Sequence, residues 1–170
     1  GQIAMEDVRR ELMAQAAKME KTGLPLTHVD SHQHMHMLPG VIDISLDVAS
    51  SLHLDAVRIS RTPLFTAFAG MGQLIGRLGL FTLSELSLWK AKRRHFRVPD
   101  HFEGIVAGEA VHEGHFLHIL KDLRPGTTEV MMHPGTDNEK LIPACDWEHD
   151  FEAEMQAIVS PKVRRMIADK

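Results

Sequence analysis

The sequence predicts an α/β fold assembled from βα units around a largely parallel sheet. Three observations lead there. Stretches with apolar residues at three- and four-residue steps alternate with short apolar runs of strand length. The polar residues best suited to chemistry follow directly after two of those runs, at the edge where parallel β/α architectures gather their functional groups. No low-complexity linker or internal repeat divides the 170 residues, so residues 1–170 are expected to form a single domain, or most of one.

The elements follow in order. Met5, Val8, Leu12, Ala16 and Met19 form one apolar stripe on a first helix, with Gly23 placed to cap it and Pro25 preventing its continuation. Leu26, Thr27, His28 and Val29 read as a strand that ends at Asp30. Pro39 and Gly40 mark a turn, and Val41, Ile42, Ile44, Ser45, Val48, Ala49 and Leu52 form a second helical stripe. Ala56, Val57, Arg58 and Ile59 read as the next strand. Residues 62–92 are apolar but punctuated by Pro63, Gly70, Gly72, Gly76 and Gly79, and helical periodicity is visible only between Leu83 and Leu88. The basic run Lys90, Lys92, Arg93, Arg94, His95 and Arg97 reads as a solvated helix end or loop; the sharper alternative is a surface for an anionic substrate or partner.

The alternation then resumes. Gly104, Ile105, Val106, Ala107 and Gly108 read as a strand. Val111, His115, Phe116, Ile119, Leu120 and Leu123 make a third stripe, ended by Pro125 and Gly126. Glu129, Val130, Met131 and Met132 form a strand that runs into His133, Pro134 and Gly135. Trp147, Phe151, Met155 and Ile158 mark a further helix. Ser160 and Pro161 supply the cap and first-turn proline of a last helix, with Val163 and Ile167 on its inner face. These amount to four short strands, against about eight in a closed barrel.

Composition narrows the function. Lys and Arg total 19 and Asp and Glu 23, a formal charge of -4 that gives no electrostatic footprint for nucleic acid. No apolar run is long enough to span a bilayer. One cysteine, Cys145, cannot form an internal disulfide, and the first residues lack the layout of a signal peptide, so a cytoplasmic protein is expected. There is no GxSxG elbow, P-loop or dinucleotide glycine fingerprint. Cys145 lies near His149 in sequence, but Cys–His pairs in enzymes meet in space, so no thiol nucleophile is assigned.

The 12 histidines, with no tyrosine at all, are unusual, and His28, His32, His34 and His36 crowd into one stretch. Asp30, His32, His34 and His36 offer four donors within seven residues, and imidazole with carboxylate is the usual ligand set for zinc and similar divalent ions. In an extended segment the three alternating histidines point to one side; after a turn into helix, His32 and His36 become the natural pair. Asp30 or Ser31 suits the supporting position behind a metal-bound imidazole. The plainer reading is a polar loop whose histidines satisfy backbone groups. His133 follows an apparently buried strand and precedes Pro-Gly, which holds it firmly at a pocket mouth, where its near-neutral titration suits acid–base work. Its plainer reading is a hydrogen-bonded histidine at a strand end.

These residues also carry a family resemblance. Thr27-His28-Val29-Asp30-Ser31-His32-Gln33-His34-Met35-His36 resembles the central signature of the YdjC/ChbG family of carbohydrate deacetylases. Val57-Arg58-Ile59 is similar to the strand that follows it, and Pro99-Asp100-His101-Phe102-Glu103-Gly104 and Thr128-Glu129-Val130-Met131-Met132-His133-Pro134-Gly135 resemble later blocks. Asp146-Trp147-Glu148 and Ser160-Pro161 resemble the C-terminal helices, and within the family the likeness is greatest to members associated with hopanoid biosynthesis.

The resemblance implies an irregular, TIM-like (β/α) barrel that removes N-acetyl groups from amino sugars or chitooligosaccharides with one divalent ion, Mg or Zn. His32 matches a metal ligand, His133 the pocket histidine that protonates the leaving amine, and Asp30 a supporting group beside the metal. His36 is a second candidate ligand on spacing alone. The family's opening Asn-Ala-Asp-Asp-Phe-Gly block and a further metal histidine have no counterpart here. The barrel is therefore expected to be incomplete, lacking its N-terminal strands, and this chain alone is expected to bind metal weakly and turn over no substrate. Open strand edges would favour a homodimer. Two other classes compete: an amidohydrolase-like or phosphoesterase barrel using His32 and His34, and a non-catalytic binding remnant of the fold.

Overall fold

The computed structural model describes residues 3–61, 71–104 and 110–170, with the side chains of residues 71–77 outside the description. The chain divides into two compact units, Gly1–Pro99 and Asp100–Lys170. The described residues are mostly helical, with isolated parallel bridges in the first unit and a two-stranded parallel sheet in the second.

The first unit is built on α1 (Met5–Glu20), a 3-10 turn (His32–Met37), α2 (Val41–Ser51) and α3 (Met71–Arg93). α1 lays its stripe on α2: Ala16, Ile44 and Val48 are buried together, with Val8, Leu12 and Leu52 packed against them. The stripe frays at its ends, where Met5 and Met19 are exposed. Past the helix, Gly23 takes the left-handed conformation (φ 68°) and its N–H donates to the Glu20 carbonyl, so the expected stop is in place. The other face of α2 enters the main core of this unit, in which Met37, Ile42, Leu46, Ala49, Val57, Ile59, Leu88, Ala91 and Phe96 are buried. Each large aliphatic side chain removed from water there contributes about 1.5–3 kcal/mol.

The two expected strands of this unit shrink to single bridges. Val29 pairs in parallel with Val57, and Ala56 in parallel with Arg97. The direction is the one the alternation implies, and the Val29 N–H donates to Ala56 O while the Arg58 N–H donates to Val29 O. α3 departs further from expectation. It is one 23-residue helix, whereas periodicity pointed to helix only near its C-terminal end. Gly72, Gly76 and Gly79 dilute its early turns and lower helix propensity by about 1 kcal/mol each relative to alanine. Tertiary contacts offset that: the buried Ser84 hydroxyl donates to Ser60 O at 2.7 Å and Ser87 to Met37 O at 3.2 Å. The basic run is the C-terminal end of α3 and the turn beyond it. Lys90 pairs with Asp43, Arg94 with Asp47 and Arg97 with Asp55, while Arg93 covers the Trp89 ring.

The second unit holds β1 (His101–Glu103), α4 (Glu113–Lys121), β2 (Thr128–Val130), α5 (Asn138–Cys145), α6 (Phe151–Val159) and α7 (Pro161–Ala168). β1 and β2 are parallel, with His101 opposite Thr128 and Glu103 opposite Val130. The strand expected at residues 104–108 falls largely outside the described residues; the observed β1 lies just before it. α5, which runs through Pro143, has no counterpart among the expected elements. α7 begins as expected, with the Ser160 hydroxyl accepting from the Lys162 and Val163 N–H groups. Its inner face is narrower than predicted: Val163 is buried, and Ile167 is exposed.

The buried face of α6 is Phe151, Glu154 and Ala157, not the predicted stripe of Phe151, Met155 and Ile158. A carboxylate occupies a core-facing position there because two backbone N–H groups are waiting for it, as described below.

Candidate active site

The Asp30–His36 segment takes neither the extended nor the helical geometry. Gln33 and His34 both adopt left-handed backbone conformations (φ 50° and 58°), which kinks the 3-10 turn and sends the three histidines apart. His32 is exposed. His34 is half-buried, with Nδ1 2.8 Å from the Ser60 hydroxyl. His36 is buried, 2% exposed, and both its ring nitrogens are engaged. Its Nε2–H donates to Arg58 O at 2.6 Å, and Nδ1 faces the Ser31 hydroxyl at 2.7 Å. The Ser31 hydroxyl also accepts the His36 backbone N–H at 2.9 Å. With Nε2 protonated toward a carbonyl, the single lone pair of a neutral His36 ring points at Ser31. Reaching an ion would cost His36 one of these bonds. Asp30 makes a 2.5 Å ion pair with Arg58 across the Val29–Val57 bridge.

His133 lies in the other unit, three residues beyond the end of β2. The His133 N–H donates to Glu154 Oε2. The other oxygen of that carboxylate accepts the Val111 N–H at 2.9 Å. Trp147 and His149 each approach the His133 ring edge-on, with centroids 5.0 and 5.5 Å away. Trp147 stacks on His149 at 4.2 Å, and Phe151 closes the cluster against both. Gly135 leaves the strand end by donating its N–H to Phe151 O at 2.9 Å. An added Cβ at Gly135 would meet Leu141 Cδ1 at 2.3 Å and Phe151 Cβ at 2.9 Å, so a side chain there requires both residues to shift.

The divalent ion implied by the resemblance needs about three converging donors. Among the described residues, Asp30, His32, His34 and His36 do not form such a group; His32 is the imidazole of that segment left open to solvent. The group that does converge is His133, His149 and Glu154, whose ligand atoms lie within 4.8 Å of one another. Both ring nitrogens of His149 are buried without a hydrogen-bond partner. Its Nε2 is 3.2 Å from Glu154 Oε1, inside ion-pair range but not aligned as a hydrogen bond. Buried orphan imidazole nitrogens beside a carboxylate have the donor chemistry a divalent ion requires.

Sequence reasoning missed His149 and Glu154. A signal for Glu154 was present: it sits three residues after Phe151, on the apolar side of a helix, where an unpaired carboxylate would be costly. Nothing in the sequence marked His149, whose role comes from burial.

Short parallel pairings between helices place the chain in the mixed α/β class. Residues 1–169 match the family described as YdjC-like protein, and the chain belongs to that family. It is similar to a carbohydrate deacetylase of Mus musculus, 29% identical over 99% of this chain and 60% of the relative. It is similar also to a carbohydrate deacetylase of Thermoanaerobacter pseudethanolicus, 26% identical over 97% of the chain and 56% of the relative. A chitooligosaccharide deacetylase of Yersinia enterocolitica is 26% identical over 98% of the chain and 58% of its own length. The chain thus spans somewhat under two thirds of the length of these relatives.

Proposed function

We propose that this chain is the larger part of a divalent-metal-dependent deacetylase that removes N-acetyl groups from amino sugars or chitooligosaccharide-like substrates, on an irregular (β/α) barrel. The observation that carries the reading is the match of nearly the whole chain to the YdjC-like family and to relatives named carbohydrate deacetylase. The parallel direction of the Val29–Val57 and Ala56–Arg97 bridges and of β1 with β2 is consistent with such a barrel.

Amide hydrolysis has two demands. Water must add to the acetyl carbonyl, and the amine must gain a proton as the C–N bond breaks, because an amide anion is too poor a leaving group. A bound ion supplies Lewis-acid activation of the carbonyl and the water. His32 would hold it, with Asp30 behind the ligand. His36 fastens the loop between Ser31 and Arg58, and it would become a second ligand only by releasing one of them. His133 meets the second demand: it would hold a proton on its ring and give it to the departing amine, leaving acetate and the free amino sugar.

A second reading rests on the converging donors of the other unit: the ion sits at His133, His149 and Glu154, which makes His133 a ligand and not an acid. The test is metal content and acetate release by the full-length product of the gene, with N-acetylated amino-sugar oligomers as substrate. His32→Ala is expected to lose the ion, and His133→Ala to keep it and fall in kcat by about 10²–10⁴-fold. An ion lost with His149→Ala but retained with His32→Ala supports the second reading. A full-length product that binds no divalent ion and releases no acetate defeats both.

A further inference from the structure

Glu154 is the buried acid to which the first reading, with His133 as proton donor, assigns no role. It is 1% exposed on α6, yet its carboxylate reaches three separate stretches of chain. Oε1 accepts the Val111 N–H at 2.9 Å, Oε2 accepts the His133 N–H, and Oε1 lies 3.2 Å from His149 Nε2. A buried carboxylate is stabilising only when such partners compensate its lost hydration, and an apolar side chain of similar volume often serves stability as well or better. Stability alone therefore explains the residue poorly. What the carboxylate touches is specific: it accepts the main-chain N–H of His133, and it lies beside the imidazole that stands edge-on to the His133 ring at 5.5 Å.

The neighbouring constraints point the same way. The first turn of α6 also takes the Gly135 N–H through Phe151 O, two residues past His133. Trp147 meets the His133 ring at 5.0 Å beside His149, on which it stacks. Backbone and ring plane of His133 are both restrained, largely from this helix and the segment leading into it. Resting on the reading of His133 as the proton donor, we propose that Glu154 and His149 are positioning residues: the Glu154 carboxylate fixes the His133 backbone, and His149 fixes the ring that it carries. Proton transfer demands that degree of placement, since a displacement of about 1 Å costs on the order of 100-fold in rate.

Glu154→Gln keeps the shape but presents an amide NH₂ to one of two backbone N–H donors. His149→Phe keeps the aromatic packing and removes the nitrogens beside the carboxylate. Two readouts decide the matter. In the 170-residue chain, Glu154→Gln is expected to lower hydrogen-exchange protection of the His133 amide at least tenfold and to shift and broaden the His133 Cε1–Hε1 resonance, while far-UV circular dichroism is unchanged. In the full-length product, the same variant is expected to lower kcat for acetate release about 10–100-fold with KM within about twofold. His149→Phe is expected to move the His133 ring resonance but not the protection of its amide. An unchanged His133 amide and ring in Glu154→Gln overturn the proposal, as does an unchanged kcat. Should Glu154→Gln fail to fold, an unmoved ring resonance in His149→Phe overturns it. A wild-type product that releases no acetate defeats the deacetylase reading instead, and the resonances, which need no substrate, still decide the anchoring.

Discussion

Gly104 and Gly79 show how differently one residue type is used. Gly104 follows β1 with φ at 89°, and a Cβ there would lie 2.2 Å from the Met131 carbonyl oxygen. Both the left-handed backbone and the main-chain collision oppose any side chain, so Gly104→Ala is expected to destabilise the chain by about 1–3 kcal/mol. Gly79 lies inside α3, and a Cβ there meets nothing within 4 Å. Gly79→Ala should stabilise by about 0.5–1 kcal/mol, because alanine removes unfolded-state freedom at no steric cost. Urea denaturation of the two variants checks both signs. A Gly104→Ala chain as stable as the wild type would mean that the β1 exit is looser than the Gly104–Met131 approach implies. His36 makes the same point for polar residues. In sequence it is one of three alternating histidines; in the fold it is a buried tie between Ser31 and the Arg58 carbonyl.

Among the elements, α6 matters most because its first turns carry Glu154 and the Phe151 carbonyl. It is capped by Asp150, whose side chain accepts from Asn138 Nδ2 at 2.8 Å and from the Ala153 N–H at 2.9 Å. Those two bonds, the Asn138 one foremost, hold the Asp150 carboxyl below the ordinary aspartate value of 3.8. An unfolded chain therefore takes up this proton at higher pH than the folded one. The cap's contribution is complete above the ordinary aspartate value and disappears as pH falls through the lower, folded value. Protection of the α6 amides, taken relative to intrinsic exchange at each pH, is expected to fall in that acid range. In Asp150→Asn, which has no proton to gain there, it should be lower at neutral pH and lack that extra acid-range step. Parallel acid curves for the two proteins would count against the cap. The ion pairs along the basic end of α3 are solvent-facing, so screening by water and salt leaves them little net effect on stability.

At the scale of the molecule, the candidate residues divide between the two compact units, His32 in Gly1–Pro99 and His133 in Asp100–Lys170. That division turns the two metal readings into a whole-chain measurement. A ligand that binds the folded state raises protection where it binds. Hydrogen–deuterium exchange with and without Zn²⁺ should therefore show gains around residues 30–38 if His32 leads the site. Gains around residues 111, 133 and 149–154 would place the ion with His149 and Glu154. Among the described residues no helix is long and apolar enough to cross a membrane, in line with the mild charge and moderate hydropathy of the chain.

Periodicity by itself determined α1, α2, α4 and α7, because each has a stripe or a cap that local chemistry reads directly: Ser160 with Pro161, or the run from Val41 to Leu52. The parallel direction of the strand pairings was equally legible, since helices separate the runs, and the signature around Asp30–His36 with His133 was enough to place the chain in its family. Tertiary structure alone decided the rest. α3 is helical through its glycines because Ser84, Ser87, Leu88 and Ala91 find partners or a core elsewhere in the chain. The strands of the first unit shrink to bridges, and the histidines of the signature diverge, because Gln33 and His34 turn left-handed. Glu154 meets the N–H groups of Val111 and His133, and lies beside His149, only once α6 packs against them. Propensity and spacing are local, within about one helical turn, whereas burial and the satisfaction of a buried charge depend on groups more than twenty residues away.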